Sequence, residues 1–264
     1  YLLMTYFGQQ GRREAQKLLE RNAQDGDRLL GAFNIPMPHW LDFFCYTMFV
    51  DRDGKFQLGM LSTSAFKPLA ASMGPMLKEE AFHLGTGFNG LRRIIKAGVL
   101  PLDMLQRYIN KWVSTAHDLF GVDASSSAHW AYVWGVKGRW DERKKLEAGV
   151  EVDKATLNEE SRGHYHHEIV GEVRKLCGYL PEGATELYVP HENFNRNIGV
   201  AKGQKFNVDG TPFEGSDDEW ATYLTTVLPT DQDEEDLKAY FELEWIANKP
   251  MSTRQIESGI GASA

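Results

Sequence analysis

The chain has 264 residues, of which 42% are hydrophobic and 25% charged, a composition typical of a folded protein with one large domain or two small ones. The net charge of −8 and the lack of a Lys/Arg-rich run argue against a nucleic-acid surface. The longest dense apolar stretch, residues 43–50, is too short to cross a bilayer, which needs roughly 20 apolar residues.

The first part of the chain alternates between helical patterns and breaks. Residues 1–7 have no cap and resemble the end of a helix already under way, so we expect further sequence upstream. Residues 12–21 combine strong helix formers with charges at i,i+4 spacing and predict a helix. A loop follows at residues 25–27. A long apolar helix is then predicted from about Pro38, with apolar side chains near a 3.6-residue period over residues 41–61.

Two more helices are predicted before residue 121. Residues 62–68 have the composition of a turn, and the next helical pattern covers residues 69–97. Gly74-Pro75 lies inside that pattern and should kink the helix or mark its true start. Gly98 is expected to end the helix, and residues 102–120 form another amphipathic helix.

The periodicity weakens in the second half of the chain. Residues 137–150 are charged and are predicted to form a loop, and residues 154–178 a polar surface helix. Residues 184–213 have little periodicity and predict an irregular segment with a short hairpin. An acidic run at 231–236 precedes a last aromatic stretch at 240–245. We therefore expect an irregular, mostly non-helical segment after the helical part.

Three polar residues interrupt the apolar faces of the two central helices. Asp51 follows an eight-residue apolar run, and Glu80 and His83 interrupt the apolar stripe of the next helix. Burying a lone carboxylate is costly unless it is paired or binds a metal. Glu80 and His83 form an E-x-x-H motif, and residues three apart project from one face of a helix. The pattern therefore predicts a carboxylate–histidine metal site.

The spacing of these residues supports the same interpretation. Asp51 precedes Glu80 by 29 positions with the predicted turn midway, so each leg is about a dozen residues, roughly 18 Å at 1.5 Å rise per residue. An antiparallel hairpin therefore returns Glu80 to the level of Asp51. One acid facing one E-x-x-H helix is half of a di-iron carboxylate site. An E-x-x-H motif alone is common and mostly solvent-exposed; the register and the apolar surroundings favour metal binding here.

Other motifs in the chain give weaker indications. His164, His166, His167 and Glu168 include an i,i+4 pair that could bind a metal, but their polar helix favours a solvent-exposed patch. The Ser125–His129 stretch lacks the G-x-S-x-G elbow of hydrolases. No Gly-rich phosphate loop follows a predicted strand, which argues against a nucleotide-binding fold. The two cysteines form no CxxC motif, which is typical of a protein of the reducing cytoplasm.

Short motifs along the chain resemble one family of oxygenases. The stretch 50–55, the Glu79-Glu-Ala-Phe-His83 motif and several later motifs occur in the order and spacing of the oxygenase component of benzoyl-CoA 2,3-epoxidase. The later motifs are Asp118-Leu-Phe-Gly121, Lys137-Gly-Arg139, Pro190-His191, Phe194, Arg196, Ile198-Gly199 and Trp245-Ile-Ala. The chain departs from the family at Phe82, where the family has His, and at Gly74-Pro75. Neither departure removes a candidate metal ligand, but both could reshape the substrate pocket.

The resemblance implies an all-α, ferritin-like helical bundle with two iron ions, Asp51, Glu80 and His83 being this chain's ligands. It implies that O2 is the co-substrate and that the reaction is epoxidation of an aromatic ring held as a CoA thioester, a step of aromatic degradation. Electrons would come from a separate flavin/iron–sulfur reductase. The remaining iron ligands would lie upstream of residue 1. Residues 1–122 would then be part of the bundle, and residues 123–264 a C-terminal extension packed on it.

The resemblance also suggests roles for residues around the metal. Glu79 is a candidate hydrogen-bond partner for a ligand histidine of the missing half, or else an exposed helix carboxylate. Phe44, Met48, Met76 and Phe82 could line the substrate pocket, although at helical spacing such residues are more often core. Lys67, Lys137 and Arg139 are candidate cations for CoA phosphates, although exposed cations are usually only solvated.

Three alternatives stay open at this stage. One is a related di-iron oxygenase acting on another aromatic substrate, with the same metal site and a different pocket. Another is a catalytically silent structural subunit, against which the intact Asp51, Glu80 and His83 count. The third is an iron-storage protein of the ferritin type, which the long irregular stretch after residue 120 disfavours.

Overall fold

The computed structural model describes residues 2–20, 31–138, 142–151, 156–199 and 201–241. The chain divides into two compact units, Tyr1–Pro229 and Thr230–Ala264. The described residues contain helices and no β-strand, apart from one isolated bridge between Phe206 and Pro212. The predicted all-α fold class is therefore confirmed. None of the described helices is long and apolar enough to cross a membrane.

Ten α-helices are described in the first unit. They are α1 Leu2–Tyr6, α2 Gly8–Glu20, α3 Trp40–Cys45, α4 Asp51–Leu61, α5 Lys67–Ala97, α6 Leu102–Leu119, α7 Ser126–Val133, α8 Glu142–Glu147, α9 Leu157–Cys177 and α10 Asp217–Val227. A 3₁₀ turn covers Gly31–Asn34, and a π-helix at Tyr46–Val50 joins α3 to α4 without a break. In the second unit α11 covers Asp231–Phe241 and begins in the acidic run.

The core of the first unit lies between the α3–π–α4 segment, α5 and α6. Phe49, Tyr108 and Trp112 are fully buried there. The Trp112 indole N–H donates to Asp42 Oδ1 at 2.9 Å, so the buried carboxylate of α3 is tied to α6. Gly87 lets α5 approach closely, since a Cβ at this position would lie 2.5 Å from the Met48 backbone nitrogen. This close contact fixes α5 against the π-helix.

Helix α5 runs through the proline that was expected to kink it or mark its start. It begins at Lys67 with Pro68 in the first turn, where the missing N–H is no loss, and continues past Pro75 to Ala97. Gly74 and Pro75 are both exposed, so the carbonyl that Pro75 leaves unpaired can bond to water. The predicted start at Pro75 is wrong. The predicted end is confirmed: Gly98 caps the helix with a left-handed φ of 62°.

Helix α9 is not the polar surface helix that its composition suggested. Tyr165, Ile169, Val173 and Leu176 recur every three or four residues and are buried. The Tyr165 hydroxyl donates to the Phe49 carbonyl at 3.0 Å, linking α9 to the π-helix. The prediction was wrong because the polar residues of α9 outnumber its apolar stripe and mask it. The loop predicted at 137–150 is also wrong in part, since α8 lies within it.

The segment between α9 and α10 is irregular, as predicted. Its one turn of hairpin pairs Phe206 with Pro212, with Gly210 at φ 87° in the turn and the Asn207 N–H bonded to the Thr211 carbonyl at 2.8 Å. The predicted loop at 25–27, Arg139 and the Trp245-Ile-Ala motif lie outside the described residues. The division at residue 122 stays a prediction.

Candidate metal centre

Asp51, Glu80 and His83 come together where α4 and α5 face each other. Asp51 is the first residue of α4, and Glu80 and His83 are one turn apart on α5. The His83 Nδ1 lies 3.7 Å from Asp51 Oδ2 and 3.7 Å from Glu80 Oε2. Each residue offers one ligand atom, and the three atoms lie within 4.8 Å of one another. Two oxygens and one nitrogen at this spacing could share one metal ion.

The π-helix sets the position of Asp51. The Asp51 backbone N–H donates to the Tyr46 carbonyl, five residues earlier, instead of to the fourth. Such insertions of one residue into a helix recur at functional sites because they re-aim the side chains that follow. On the next turn, Gly54 makes room for Glu80, since a Cβ there would lie 3.1 Å from Glu80 Oε1. The backbone of α4 is therefore shaped around both acids.

Burial raises the pKa of both carboxylates in the cluster. Burial, and then the charge of Glu80, raises the pKa of Asp51 from 3.8 to about 6. Burial also raises the pKa of Glu80, although His83 opposes the rise. Glu80 Oε2 is buried and has no hydrogen-bond partner among the described residues. A divalent cation would satisfy that oxygen and the Asp51 charge together, so the donor set suits iron or a similar metal.

The Tyr46 phenol belongs to the same environment. Burial, and then the charges of Asp51 and Glu80, raises the pKa of Tyr46 to about 12. Its ring packs edge-on against Trp112, with centroids 5.3 Å apart. No local pattern pointed to this residue, because its place beside the acids depends on the π-helix.

Charged groups on the other faces of α4 are held by α9. Arg52 forms a short ion pair with Glu168, and Lys55 Nζ lies 2.7 Å from the same carboxylate. Asp53 is buried, its Oδ1 accepts from Gln57 Nε2 at 3.1 Å, and burial raises its pKa to about 7. These contacts anchor α4 beside the cluster. Sequence reasoning missed the pairs with Glu168 because partners more than 100 residues away leave no local signal.

The other predicted site residues lie in different environments. Glu79 is exposed on α5. Met48 is fully buried, Phe44 is half-buried, and Met76 and Phe82 are exposed, with 74% of Phe82 accessible. None of these four lines the cavity beside Lys137 or the cavity beside His166. Their role as a substrate pocket stays a prediction.

The histidines of α9 do not form a metal cluster with Glu168. Glu168 is bound to Arg52 and Lys55, and among the described residues only Asp51, Glu80 and His83 are grouped closely enough to share an ion. The His166 ring instead stacks on the buried His117, with Nδ1 3.2 Å from His117 Nε2. His164 and His167 are exposed, as expected for a solvated patch. Lys67 is exposed as well.

The fold and the cluster define a class: an all-α protein with a carboxylate–histidine cluster between two helices that could hold a metal ion. Residues 1–187 match the family described as Phenylacetic acid catabolic protein. The match covers well over half of the chain, so the chain belongs to that family.

Two relatives extend the comparison. The chain is 36% identical to benzoyl-CoA oxygenase component B of Aromatoleum evansii, over 88% of this chain and 58% of the relative. It is 24% identical to one of the subunits of the 1,2-phenylacetyl-CoA epoxidase of Escherichia coli (strain K12), over 66% of this chain and 51% of the relative. The chain thus spans between half and three-fifths of the length of these relatives.

Proposed function

We propose that this chain is part of the oxygenase component of a di-iron monooxygenase, which epoxidises the aromatic ring of an aryl-CoA thioester. The observation that carries the proposal is the convergence of Asp51, Glu80 and His83, with a buried Glu80 Oε2 that accepts no hydrogen bond and lies 3.7 Å from His83 Nδ1. A structural helix pair has no need of two half-buried acids whose pKa values are both raised by burial. A cation between the helices resolves that cost.

In this proposal Asp51 and Glu80 supply oxygen ligands and His83 a nitrogen ligand. Both acids must be ionised to bind a metal ion. Because their pKa values are raised, each carboxyl holds its proton more tightly than usual, and metal binding must displace that proton. Two iron ions held in such a site would supply the activation of O2. The ion pairs of Arg52 and Lys55 with Glu168 would keep the Asp51 end of α4 in place while the metal binds.

Three ligands are too few for two iron ions, so we propose that the remaining ligands lie outside the described residues of this chain. The ligands already present are one acid and one E-x-x-H unit, and a di-iron bundle site has two of each. The open side of the cluster supports this reading: His83 is 47% exposed, and the neighbouring Phe82 is 74% exposed. A second helix pair would cover both side chains.

The substrate class rests on the names of the relatives. One relative is named as a benzoyl-CoA oxygenase component and the other as part of a phenylacetyl-CoA epoxidase. Both names share an aromatic acyl group and coenzyme A. We therefore propose benzoyl-CoA or a similar aryl-CoA thioester as substrate. Because the first relative is named as one component of an oxygenase, we propose that a separate protein donates the electrons. The electron donor that we propose is a flavin/iron–sulfur reductase.

The test is isotope incorporation by the complete protein. The protein is loaded with ferrous iron, mixed with a flavin/iron–sulfur reductase and benzoyl-CoA, and exposed to ¹⁸O₂. We expect a product that carries one ¹⁸O atom on the ring, and its loss in Glu80→Gln. Glu147→Gln, which changes an exposed acid of α8, is the matched control and should retain turnover. Iron-loaded protein that consumes no O2 with benzoyl-CoA, or forms no labelled product, would contradict the proposal.

A further inference from the structure

A second feature of the first unit lies apart from the metal cluster. A cavity of about 460 Å³ opens between α7 and the start of α9. Its apolar wall is formed by Ala124, Ala128, Val133 and Leu157, and Lys137 and Asn158 are among its polar lining residues. We call it the Lys137 cavity. Its volume exceeds that of a benzene ring with a small substituent.

Lys137 is a half-buried cation whose two hydrogen-bond partners are neutral. Its ammonium donates to Gln57 Oε1 at 2.9 Å and to Asn158 Oδ1 at 2.9 Å. No carboxylate among the described residues lies within ion-pair distance of it. An ammonium has three donors, so two amide oxygens leave one N–H over. Burial lowers the pKa of Lys137, and the charges of Asp53 and Asp123 offset only part of that effect.

The acids near Lys137 are engaged elsewhere. Asp123 lines the cavity, but its carboxylate accepts the backbone N–H groups of Asn158 and Glu159 at 2.7 and 2.9 Å, at the N-terminus of α9. Asp53 is separated from Lys137 by Gln57, which donates to Asp53 and accepts from Lys137. Neither acid therefore forms a direct ion pair with Lys137, although the charges of both act on it.

We propose that the Lys137 cavity binds a small organic monocarboxylate with an apolar body. The carboxylate would take the remaining N–H of Lys137, and the apolar body would lie against Ala128, Val133 and Leu157. A charge-assisted hydrogen bond in a partly dry site is stronger than a neutral one, which makes the cavity selective for the anion over a neutral molecule of the same shape. This inference does not depend on the metal centre or on its reaction.

The test compares benzoate with benzamide, which has nearly the same shape but no charge. Both are titrated calorimetrically into the metal-free full chain. We expect benzoate to bind about tenfold more tightly than benzamide. In Lys137→Gln this preference should disappear, whereas Lys144→Gln, which changes an exposed lysine of α8, should keep it.

A second variant keeps the proposal testable if Lys137→Gln does not fold. Ala128→Phe fills the cavity and leaves the lysine in place, so it should weaken both ligands while the circular dichroism spectrum stays unchanged. Equal affinity for benzoate and benzamide in the unaltered chain would overturn the proposal. So would a folded Lys137→Gln variant that keeps the preference, or an Ala128→Phe variant that binds benzoate as before.

Discussion

Replacing Asp51 with Asn should stabilise the metal-free protein while removing one ligand of the proposed metal site. The reason is that the folded chain holds the Asp51 carboxylate half-buried beside Glu80, which raises its pKa from 3.8 to about 6. An acid whose pKa is raised by folding binds protons more tightly in the folded state. Above pH 6 its ionised form therefore destabilises the fold, and an uncharged amide of the same shape removes that cost.

The size of the stabilisation follows from the difference between the pKa of Asp51 in the unfolded and the folded chain. A rise in the pKa of Asp51 from 3.8 to about 6 corresponds to about 3 kcal/mol in the free energy of unfolding, at about 1.36 kcal/mol for each pKa unit. Solvent reaches the Asp51 side chain, which screens the charge, so we expect a gain of about 1–2 kcal/mol in the free energy of unfolding near neutral pH. The gain should shrink as the pH is lowered from 6 to 3.8 and vanish below 3.8, where the wild-type carboxyl is protonated in both the folded and the unfolded state.

The assay is urea unfolding of chelator-treated protein at two pH values. Wild type and Asp51→Asn are compared near pH 7.5 and near pH 5, with Asp103→Asn as the control, since Asp103 is an exposed acid of α6. The control should change stability by less than about 0.5 kcal/mol. A less stable Asp51→Asn protein would refute the reasoning, and so would an equal gain at both pH values. Added ferrous ion should stabilise the wild type but not the variant.

Three further predictions concern packing and protonation. Gly87→Ala should destabilise the fold by about 1–3 kcal/mol in urea unfolding, because its Cβ would lie 2.5 Å from the Met48 nitrogen; an unchanged midpoint would show that α5 can shift freely. Burial lowers the pKa of His117 below 6.5, so the folded state binds fewer protons and stability should fall as the pH drops below 6.5. His117→Gln should flatten that dependence in unfolding measured across this range, and an unchanged slope would contradict the assignment. Tyr165→Phe should cost about 1 kcal/mol in thermal unfolding by removing the bond to the Phe49 carbonyl, and a neutral effect would count against that bond.

The central helices and the convergence of Asp51, Glu80 and His83 could be predicted because their signals are local. The apolar period of residues 41–61, the turn near 65 and the E-x-x-H motif are all contained in short windows of sequence. The 29-residue spacing then fixes the level of Asp51 against Glu80 in any antiparallel hairpin. In the structure their ligand atoms lie within 4.8 Å of one another, as that register requires.

The features that could not be predicted depend on distant partners. The π-helix before Asp51 shifts the register by one residue, and no residue type in 46–50 demands it. The charges of Arg52 and Glu168 predict solvent-exposed side chains. In the structure the two residues form an ion pair across 116 positions, which allows α9 to pack against α4. Lys137 likewise has the sequence context of an ordinary surface cation, and only the fold supplies Gln57 and Asn158 as its partners.

The most direct test of the di-iron assignment is anaerobic ferrous binding to the complete protein and its His83→Ala variant, followed by exposure to O2. We predict two irons in each wild-type chain, rapid O2 consumption, and loss of both in the variant. His129→Ala, which changes an exposed histidine of α7, should bind iron as the wild type does. A complete protein that takes up no iron, or a His83→Ala variant that binds two irons with unchanged affinity, would contradict the assignment.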